Sequence, residues 1–306
     1  MFEDLVRGVK ELLERRKPRL TSDCCIYKVP ADIRKLNEDA YTPKVVSIGP
    51  FHHGNKTLQN MKIHKIRFFK RFLNRISPAI SLENWIQSMD ELEPRIRLCY
   101  AETIKLSRNE LVKVIIVDAG FILELFSMYY FKEHISWTDE DNILSKPWFE
   151  ACIRSDLLLL ENQLPFFVLD KLFNQAFASQ FMSDGINLPS FLQRTTFLEL
   201  TFHYFTYYNQ QNIAPHPDMN IRHFTDLVRI FHLPPPERLP NILQSEEGAM
   251  THLPKATELE KVGVKFTQGT SKCLLDLKFE GRVLEVPCFK AEDWTEILFR
   301  NIMALE

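Results

Sequence analysis

The sequence predicts an α+β fold that is mainly helical: a helical body with a small β-sheet or hairpin built from N-terminal and C-terminal strands. Apolar residues recur at helical spacing through most of the first 232 residues. Strand-like runs occur near both ends, and a Pro-rich polar stretch precedes the C-terminal ones. We therefore predict one folding unit with a helical body at 1–232, a Pro-rich loop at 233–255, and a hairpin with a closing helix at 256–306.

The elements of the predicted body follow the apolar pattern. A stripe of Phe2, Leu5 and Val9 predicts a helix over 2–16, and the runs "CCIYKVP" and "KVVSIG" predict two short strands. Prolines mark helix breaks, because proline lacks the N–H that helical bonding needs. Further helices are predicted over residues 58–76, 81–106 with an interruption at Pro94, 109–130, 146–174 as two pieces meeting near Pro165, 189–208 and 220–231.

The C-terminal region carries a strand pattern. Apolar residues alternate in "VGVKFTQ", and "KCLLDLKFEGRVLEVPCF" predicts a hairpin that turns at Glu280–Gly281. The last stretch, "WTEILFRNIMALE", predicts the closing helix. Short strands need partners to be stable. We therefore expect the hairpin to pair with the early strand at 25–29 or at 45–48.

The charge balance argues against nucleic acid as a partner, since 38 basic and 40 acidic side chains give a net charge of -2. One run, "KIHKIRFFKRFLNR", is strongly basic. Its apolar residues recur at helical spacing at Ile63, Ile66, Phe69 and Leu73. We interpret it as an amphipathic helix with its basic face in water, and a phosphate- or membrane-binding face is the alternative. No apolar stretch reaches the roughly 20 residues of a membrane span.

The six cysteines form no C-x-x-C pair. This spacing indicates reduced, buried thiols in a reducing compartment, and neither a disulfide framework nor a zinc site. We expect no metal and no cofactor, and a cytoplasmic location.

Two adjacent histidines, His52 and His53, stand between glycines in "SIGPFHHG". Neighbouring side chains in an extended segment point to opposite sides, so the two histidines are not expected to bind one metal together. Our structural interpretation has one of them largely buried and bonded to a carboxylate or backbone carbonyl, tethering the loop. The functional alternative makes one of them a base or a ligand-binding group.

Asp118 lies on an otherwise apolar helix face and is predicted to be buried. A buried carboxylate needs a cationic or histidine partner, or it takes up a proton. Arg97 is one candidate partner, and His52 or His53 is the other. The pair would either hold helices together or serve proton transfer.

Glu161, Asn162 and Gln163 interrupt an apolar run before Pro165. We predict that they satisfy backbone groups at a break between two helical pieces, and that Glu161 could meet His53 or Lys65. A cluster of Asp118, Glu161 and a histidine would resemble a metal site in composition, but no spacing requires one. The sequence contains no G-x-S-x-G, Walker or G-x-G-x-x-G motif.

Several motifs occur together in a fixed order: "YKVPADIRKLNEDAYTPKVVSIGPFHHG", "RLCYAE", "DAGFILEL", "SDLLLLENQLPFFVLDKLF" and "LLDLKFEGRVLEVP". On these motifs the chain resembles the plant domain-of-unknown-function 247 family over residues 26–306. The resemblance implies a plant protein without an assigned reaction, a recognition role in some members, and in many members a membrane helix near the C-terminus. The family pattern typically continues beyond "NIMALE", so the resemblance places membrane association in full-length relatives.

The leading hypothesis is a non-enzymatic recognition module that binds a protein partner. The alternative is an enzyme acting on a small molecule, with His52 or His53 as the base, paired with Asp118 or Glu161. Candidate binding residues are Arg97, Asn162 and Lys65.

Overall fold

The computed structural model describes residues 23–75, 82–131, 146–178, 195–234 and 254–306. The mainly helical α+β class is confirmed. The described residues form ten α-helices: α1 Ala31–Arg34, α2 Asn60–Arg75, α3 Leu82–Leu98, α4 Arg108–Tyr130, α5 Pro147–Asp156, α6 Phe166–Ala178, α7 Phe197–Tyr204, α8 Phe224–His232, α9 Ala256–Lys261 and α10 Thr295–Leu305. Short 3-10 helices lie at Glu38–Tyr41, Lys56–Leu58 and Thr206–Tyr208.

Helix α4 is the centre of the helical body. It packs against α2, α3 and α7, and buried side chains surround almost its whole circumference. A helix that is apolar on every side belongs inside a core. Its first turn is fixed by a capping box between Ser107 and Glu110. None of the helices in the described part of the chain combines the length and apolar composition needed to cross a bilayer.

Helix α3 runs through Pro94, so the predicted interruption there is wrong. Proline leaves the carbonyl four residues earlier, that of Asp90, without its helical donor. The Arg108 guanidinium donates to that carbonyl at 2.7 Å and also pairs with the Asp90 carboxylate. One arginine from the start of α4 thus replaces the missing helical bond and allows α3 to continue to Leu98.

Most other predicted helices are present with shifted ends. The region predicted as two helical pieces contains α5 and α6, separated by a non-helical connection at 157–165. Helix α7 begins later than expected because a capping box at Thr196 and Glu199 starts it. The predicted helix at 2–16, residues 189–194 and most of the Pro-rich loop at 233–255 lie outside the described residues.

The predicted hairpin is confirmed, with Gly281 and Arg282 at positive φ in its turn. Strands β1 Lys265–Gly269, β2 Lys278–Glu280 and β3 Val283–Pro287 form a sheet in the order β1-β3-β2. Strand β3 is parallel to β1 and antiparallel to β2. The expected pairing with early strands is wrong, because all three strands of this sheet lie within 265–287 and residues 25–29 and 45–48 add none to it.

The early segments make their backbone hydrogen bonds elsewhere. Residues 25–29 contribute one parallel bridge, between Ile26 and Tyr100. Residues 44–49 bond to side chains: the Asp156 carboxylate accepts from the N–H groups of residues 44, 45 and 46 at 2.7–2.9 Å. The Asn162 side chain accepts from the Ile48 N–H at 2.7 Å and donates to the Val46 carbonyl at 2.9 Å. The Asp156 carboxylate and the Asn162 amide together therefore take the place of a neighbouring strand.

The connection at 157–165 is a buried, irregular hub of the fold. Its Gln163 side chain donates to the carbonyls of Leu157 and Leu159 at 2.6 and 2.8 Å, and accepts from the N–H of Phe224 at 3.0 Å. The polar trio therefore satisfies backbone groups at a helix break, as predicted, and also reaches distant segments. Buried backbone groups away from water require such partners.

Helix α10 closes this arrangement from the C-terminal end. Its buried Asn301 accepts from the N–H of Leu160 at 2.9 Å and donates to the carbonyl of Ala40 at 2.8 Å. The hydroxyl of Tyr27 donates to the carbonyl of Leu305 at 2.5 Å. The last helix is thereby bonded both to the hub and to the early segments.

Replacing Asn162 by Ala should destabilise the fold, because the buried Ile48 N–H and Val46 carbonyl lose their partner. Each unpaired group costs roughly 1–3 kcal/mol of unfolding free energy. Urea denaturation would measure the loss. The control is Asn174→Ala, which removes only an exposed bond to Asp170 and should leave the unfolding free energy nearly unchanged. Equal stability of the two variants would contradict the hub's role.

Candidate functional site

The loop places the side chains of His52 and His53 in different surroundings. His53 is exposed, whereas the His52 side chain is only 13% exposed and turns towards Glu161. Its Nε2 lies 3.7 Å from Glu161 Oε2, beyond hydrogen-bonding distance, and makes no hydrogen bond to any residue that the structure describes. The expected histidine tether is therefore absent from the described part of the chain.

His52 is held in its neutral form. Burial lowers its pKa to about 4, and the nearby charges of Arg34 and Lys28 act in the same direction. The Glu161 carboxylate does not reverse this shift, because it already binds the Arg34 guanidinium and accepts from the Val29 N–H at 2.7 Å. His52 is thus a neutral imidazole packed beside an ion pair.

The loop is tethered by a buried ion pair between Lys65 of α2 and Asp118 of α4. The Lys65 ammonium also donates to the carbonyl of Ser47 at 2.8 Å, and the second Asp118 oxygen accepts from the Gly49 N–H at 2.9 Å. Gly49 has φ +72°, and a Cβ there would lie 2.5 Å from the Gln163 carbonyl oxygen. A glycine is therefore required where the loop meets the hub.

Asp118 is buried, as predicted, but its partner is Lys65 and not Arg97 or a histidine. Burial raises the pKa of Asp118, while the lysine and the Gly49 N–H favour the charged form. Arg97 instead pairs with Glu93 and donates to the carbonyls of Ile104 and Leu106. Arg97 therefore closes the turn between α3 and α4.

The partner of Asp118 was missed because the buried face of α2 was misassigned. Ile63 and Ile66 of the expected stripe are 60% and 48% exposed. The buried face instead comprises Met61, Lys65, Phe68, Phe69 and Phe72. Lys65 has helical spacing to the buried phenylalanines of this face, and that spacing was the signal that could have identified it.

An open cleft of 310 Å³ lies beside the histidine loop, with the Lys65–Asp118 pair at its floor. His53 and the exposed lysines Lys62 and Lys113 line it as well. Its apolar side comprises Leu58, Ile66, Val114 and Val117. The cleft thus brings together three candidate residues, His53, Lys65 and Asp118, whereas His52, Glu161, Asn162 and Arg97 do not line it.

The charges that face solvent in the cleft are mainly positive. Lys65 and Asp118 neutralise each other, which leaves the positive Lys62 and Lys113 and one negative side chain, Glu110. The Glu110 carboxylate accepts from the N–H and hydroxyl of Ser107 at 2.9 and 2.6 Å. Neither Lys62 nor Lys113 has a carboxylate oxygen within 4.0 Å in the described ranges, although the charge of Lys113 helps to lower the pKa of Glu110. The lining therefore suits a ligand with an acidic group next to an apolar one. Within the described ranges, no three His, Cys, Asp or Glu side chains are placed to hold a metal ion.

Replacing Lys65 by Met should destabilise the protein, because Asp118 would remain buried without its cation. Breaking a buried pair from one side costs roughly 3–5 kcal/mol. Adding Asp118→Asn should recover part of this loss, since the amide oxygen can still accept from the Gly49 N–H. Chemical denaturation compares the variants, with Lys62→Met on the exposed face of α2 as the control. The ion pair would have no structural role if Lys65→Met matched this control.

The neutral state of His52 makes stability depend on pH. Its pKa of about 4 in the folded chain lies below the value of 6.5 in the unfolded chain, so the unfolded chain takes up a proton first as the pH falls. The unfolding free energy that the neutral His52 contributes is fully present above pH 6.5 and is lost on acidification towards pH 4. Between pH 7 and pH 5 the loss of unfolding free energy amounts to about 2 kcal/mol.

The variant His52→Gln should lose this part of the pH dependence. Denaturation curves at both pH values would measure it, and the exposed His216→Gln serves as the control. If the parent and His52→Gln lost the same stability on acidification, another group would be responsible.

Comparison with known proteins identifies relatives in plants. The sequence profile of DUF247, described as a plant protein of unknown function, matches residues 26–306. UPF0481 protein At3g47200 of Arabidopsis thaliana is 32% identical over 99% of this chain and 65% of its own length. Putative UPF0481 protein At3g02645 of the same plant is 27% identical over 48% of this chain and 26% of its own length.

The chain therefore spans less than two thirds of the length of these relatives. No solved structure matches it. Since the family profile covers nearly the whole sequence, including the hub and the histidine loop, the chain belongs to the DUF247 family of plant proteins.

Proposed function

We propose that this chain is a non-enzymatic recognition module of a plant protein, and that its cleft receives an acidic segment of a protein partner. One observation supports the proposal most directly: the exposed Lys62 and Lys113 stand beside an apolar wall in the same cleft. Such a combination of charged and apolar groups is typical of surfaces that bind peptides.

The alternative of an enzyme has less support because the candidate carboxylates are already engaged. Both oxygens of Asp118 are bonded, one to Lys65 and one to the Gly49 N–H. Glu161 binds Arg34 and the N–H of Val29. A histidine acting as a general base is usually oriented by a carboxylate within hydrogen-bonding distance. His53 opens on the cleft without a hydrogen bond to Asp118 or Glu161, and the contact between His52 and Glu161 is too long.

The proposed partner would place a carboxylate between Lys62 and Lys113 and an apolar side chain against Ile66 and Val117. The floor of the cleft is rigid, because the Lys65–Asp118 pair fixes α2 to α4. A preformed floor lowers the entropy that binding must overcome. We further propose a cytoplasmic location, or one at the cytoplasmic face of a membrane in full-length relatives, as the resemblance implies.

The test is selection of peptides from a random 12-residue library on the purified chain, followed by affinity measurement. The peptides obtained should be rich in Asp or Glu, and their affinity should fall as salt is added. The double variant Lys62→Glu/Lys113→Glu should bind at least about tenfold more weakly, which corresponds to roughly 1.4 kcal/mol.

The matched control is Lys70→Glu, which reverses an exposed charge on the same helix outside the cleft. It should retain the parent's affinity apart from long-range screening effects. Peptides without acidic residues, or equal losses in the control and the double variant, would overturn the proposal. Turnover of a small molecule that depends on His53 would favour the enzyme instead.

A further inference from the structure

Two buried cysteines that are far apart in sequence lie side by side in the fold. The N–H groups of Cys25 and Ile26 both donate to the carbonyl of Cys99, at 3.0 and 2.9 Å. The N–H of Ala101 donates to the carbonyl of Ile26 at 2.9 Å, which completes a parallel bridge between Ile26 and Tyr100. Cys25 and Cys99 are therefore the neighbouring pair in the same register.

This register suits a disulfide. Paired backbones lie about 4.8 Å apart, inside the range of roughly 4.4–6.8 Å between Cα atoms that a disulfide requires. Cys25 and Cys99 both flank the Ile26–Tyr100 bridge, and Cys99 lies in the turn that follows α3. The two thiols are close enough for each to shift the pKa of the other, and the Cys99 thiol also donates to the carbonyl of Arg95 at 3.4 Å.

The contact makes the two thiols unequal. The interaction with Cys25 lowers the pKa of Cys99, whereas the interaction with Cys99 and burial both raise the pKa of Cys25. Cys99 is thus the better nucleophile, with Cys25 placed as the second thiol. Each cysteine is only 3% exposed.

We propose that Cys25 and Cys99 are a redox modification site at which hydrogen peroxide forms a disulfide. The Cys99 thiolate attacks one peroxide oxygen, the O–O bond breaks, and hydroxide leaves, so that Cys99 becomes a sulfenic acid. The Cys25 sulfur then attacks the sulfenic sulfur, and the S–O bond breaks. The departing hydroxide takes up the Cys25 proton as water. Two thiols and one peroxide thereby give one disulfide and two waters, and a dithiol reductant reverses the change.

The disulfide would tie the N-terminal segment to the end of α3 beside the hub. The carbonyl of Cys25 is bonded to the buried His223 ring at 3.0 Å, and the hydroxyl of Tyr100 donates to the carbonyl of Gln163 at 2.9 Å. Peroxide is small enough to reach the pair through local opening of this segment. Cross-linking distant residues constrains the unfolded chain, so the oxidised protein should melt at a higher temperature.

The experiment treats the full chain with a small molar excess of hydrogen peroxide, removes the peroxide, and alkylates the remaining free thiols in denaturant so that buried ones react. Peptides are then mapped without reduction by mass spectrometry. Cys24 and Cys25 are adjacent and share most peptides, so a Cys24→Ser variant is mapped alongside the parent. We expect a peptide linked through Cys25 and Cys99 in both proteins, two hydrogens lighter than the thiol peptides. Dithiothreitol should remove the link and return the melting temperature to its starting value.

Two variants complete the test. Cys25→Ser should leave a sulfenic acid on Cys99 that dimedone traps, whereas Cys288→Ser, which removes an exposed thiol, should leave the link intact. The proposal is overturned if Cys25 and Cys99 stay fully alkylatable at a dose that oxidises Cys288. It is also overturned if the link disappears in Cys24→Ser. Peptide binding in the cleft is measured separately, so this result does not depend on the proposed function.

Discussion

The fold depends on one constraint: buried backbone that is neither helix nor sheet must still find hydrogen-bond partners. Here those partners are side chains of Asp156 and of the polar trio after it. Asp156 alone accepts three N–H groups, and Asn162 binds the same early segment from its other end. Each unpaired buried group would cost roughly 1–3 kcal/mol of unfolding free energy. Residues 44–49 can therefore be buried only because these few side chains bond to their backbone. These hydrogen bonds therefore also determine the position of the histidine loop and of the cleft beside it.

The same constraint explains why charged groups occur inside the helical body. Lys65 and Asp118 do more than neutralise each other, since each also bonds the backbone between Ser47 and Gly49. Apolar residues of similar size could fill the space but could not satisfy those groups, which distinguishes this pair from ion pairs that hydrophobic residues replace without loss. A polar floor in the cleft therefore follows from loop architecture, and the exposed lysines around it are the groups left available to a ligand.

Helices, the C-terminal hairpin and the burial of Asp118 were predictable from sequence because each follows from local periodicity or turn chemistry. The polar trio at a helix break was predictable for the same reason. The hydrogen-bond partners of "KVVSIG" were not predictable. Its composition is that of a strand, but the residue that bonds its backbone, Asn162, lies more than 100 positions away in the sequence. The partner of Asp118 was obscured by a choice between two stripes on α2, of which the phenylalanine stripe that includes Lys65 is the buried one. The role of His52 could not be inferred, since it rests on a distance between two segments.

The long sequence separations within the hub also govern the order of folding. Residues 26–49 leave the ribosome well before Asp156 and Asn162, so their backbone has no native partner during that part of synthesis. Asn301, which joins the hub to Ala40, is synthesised 141 residues after Leu160 and 261 residues after Ala40. Contacts of this kind slow folding, because chain entropy must be lost before they form. The early segment consequently lacks its native partners until the residues up to Asn301 have been synthesised.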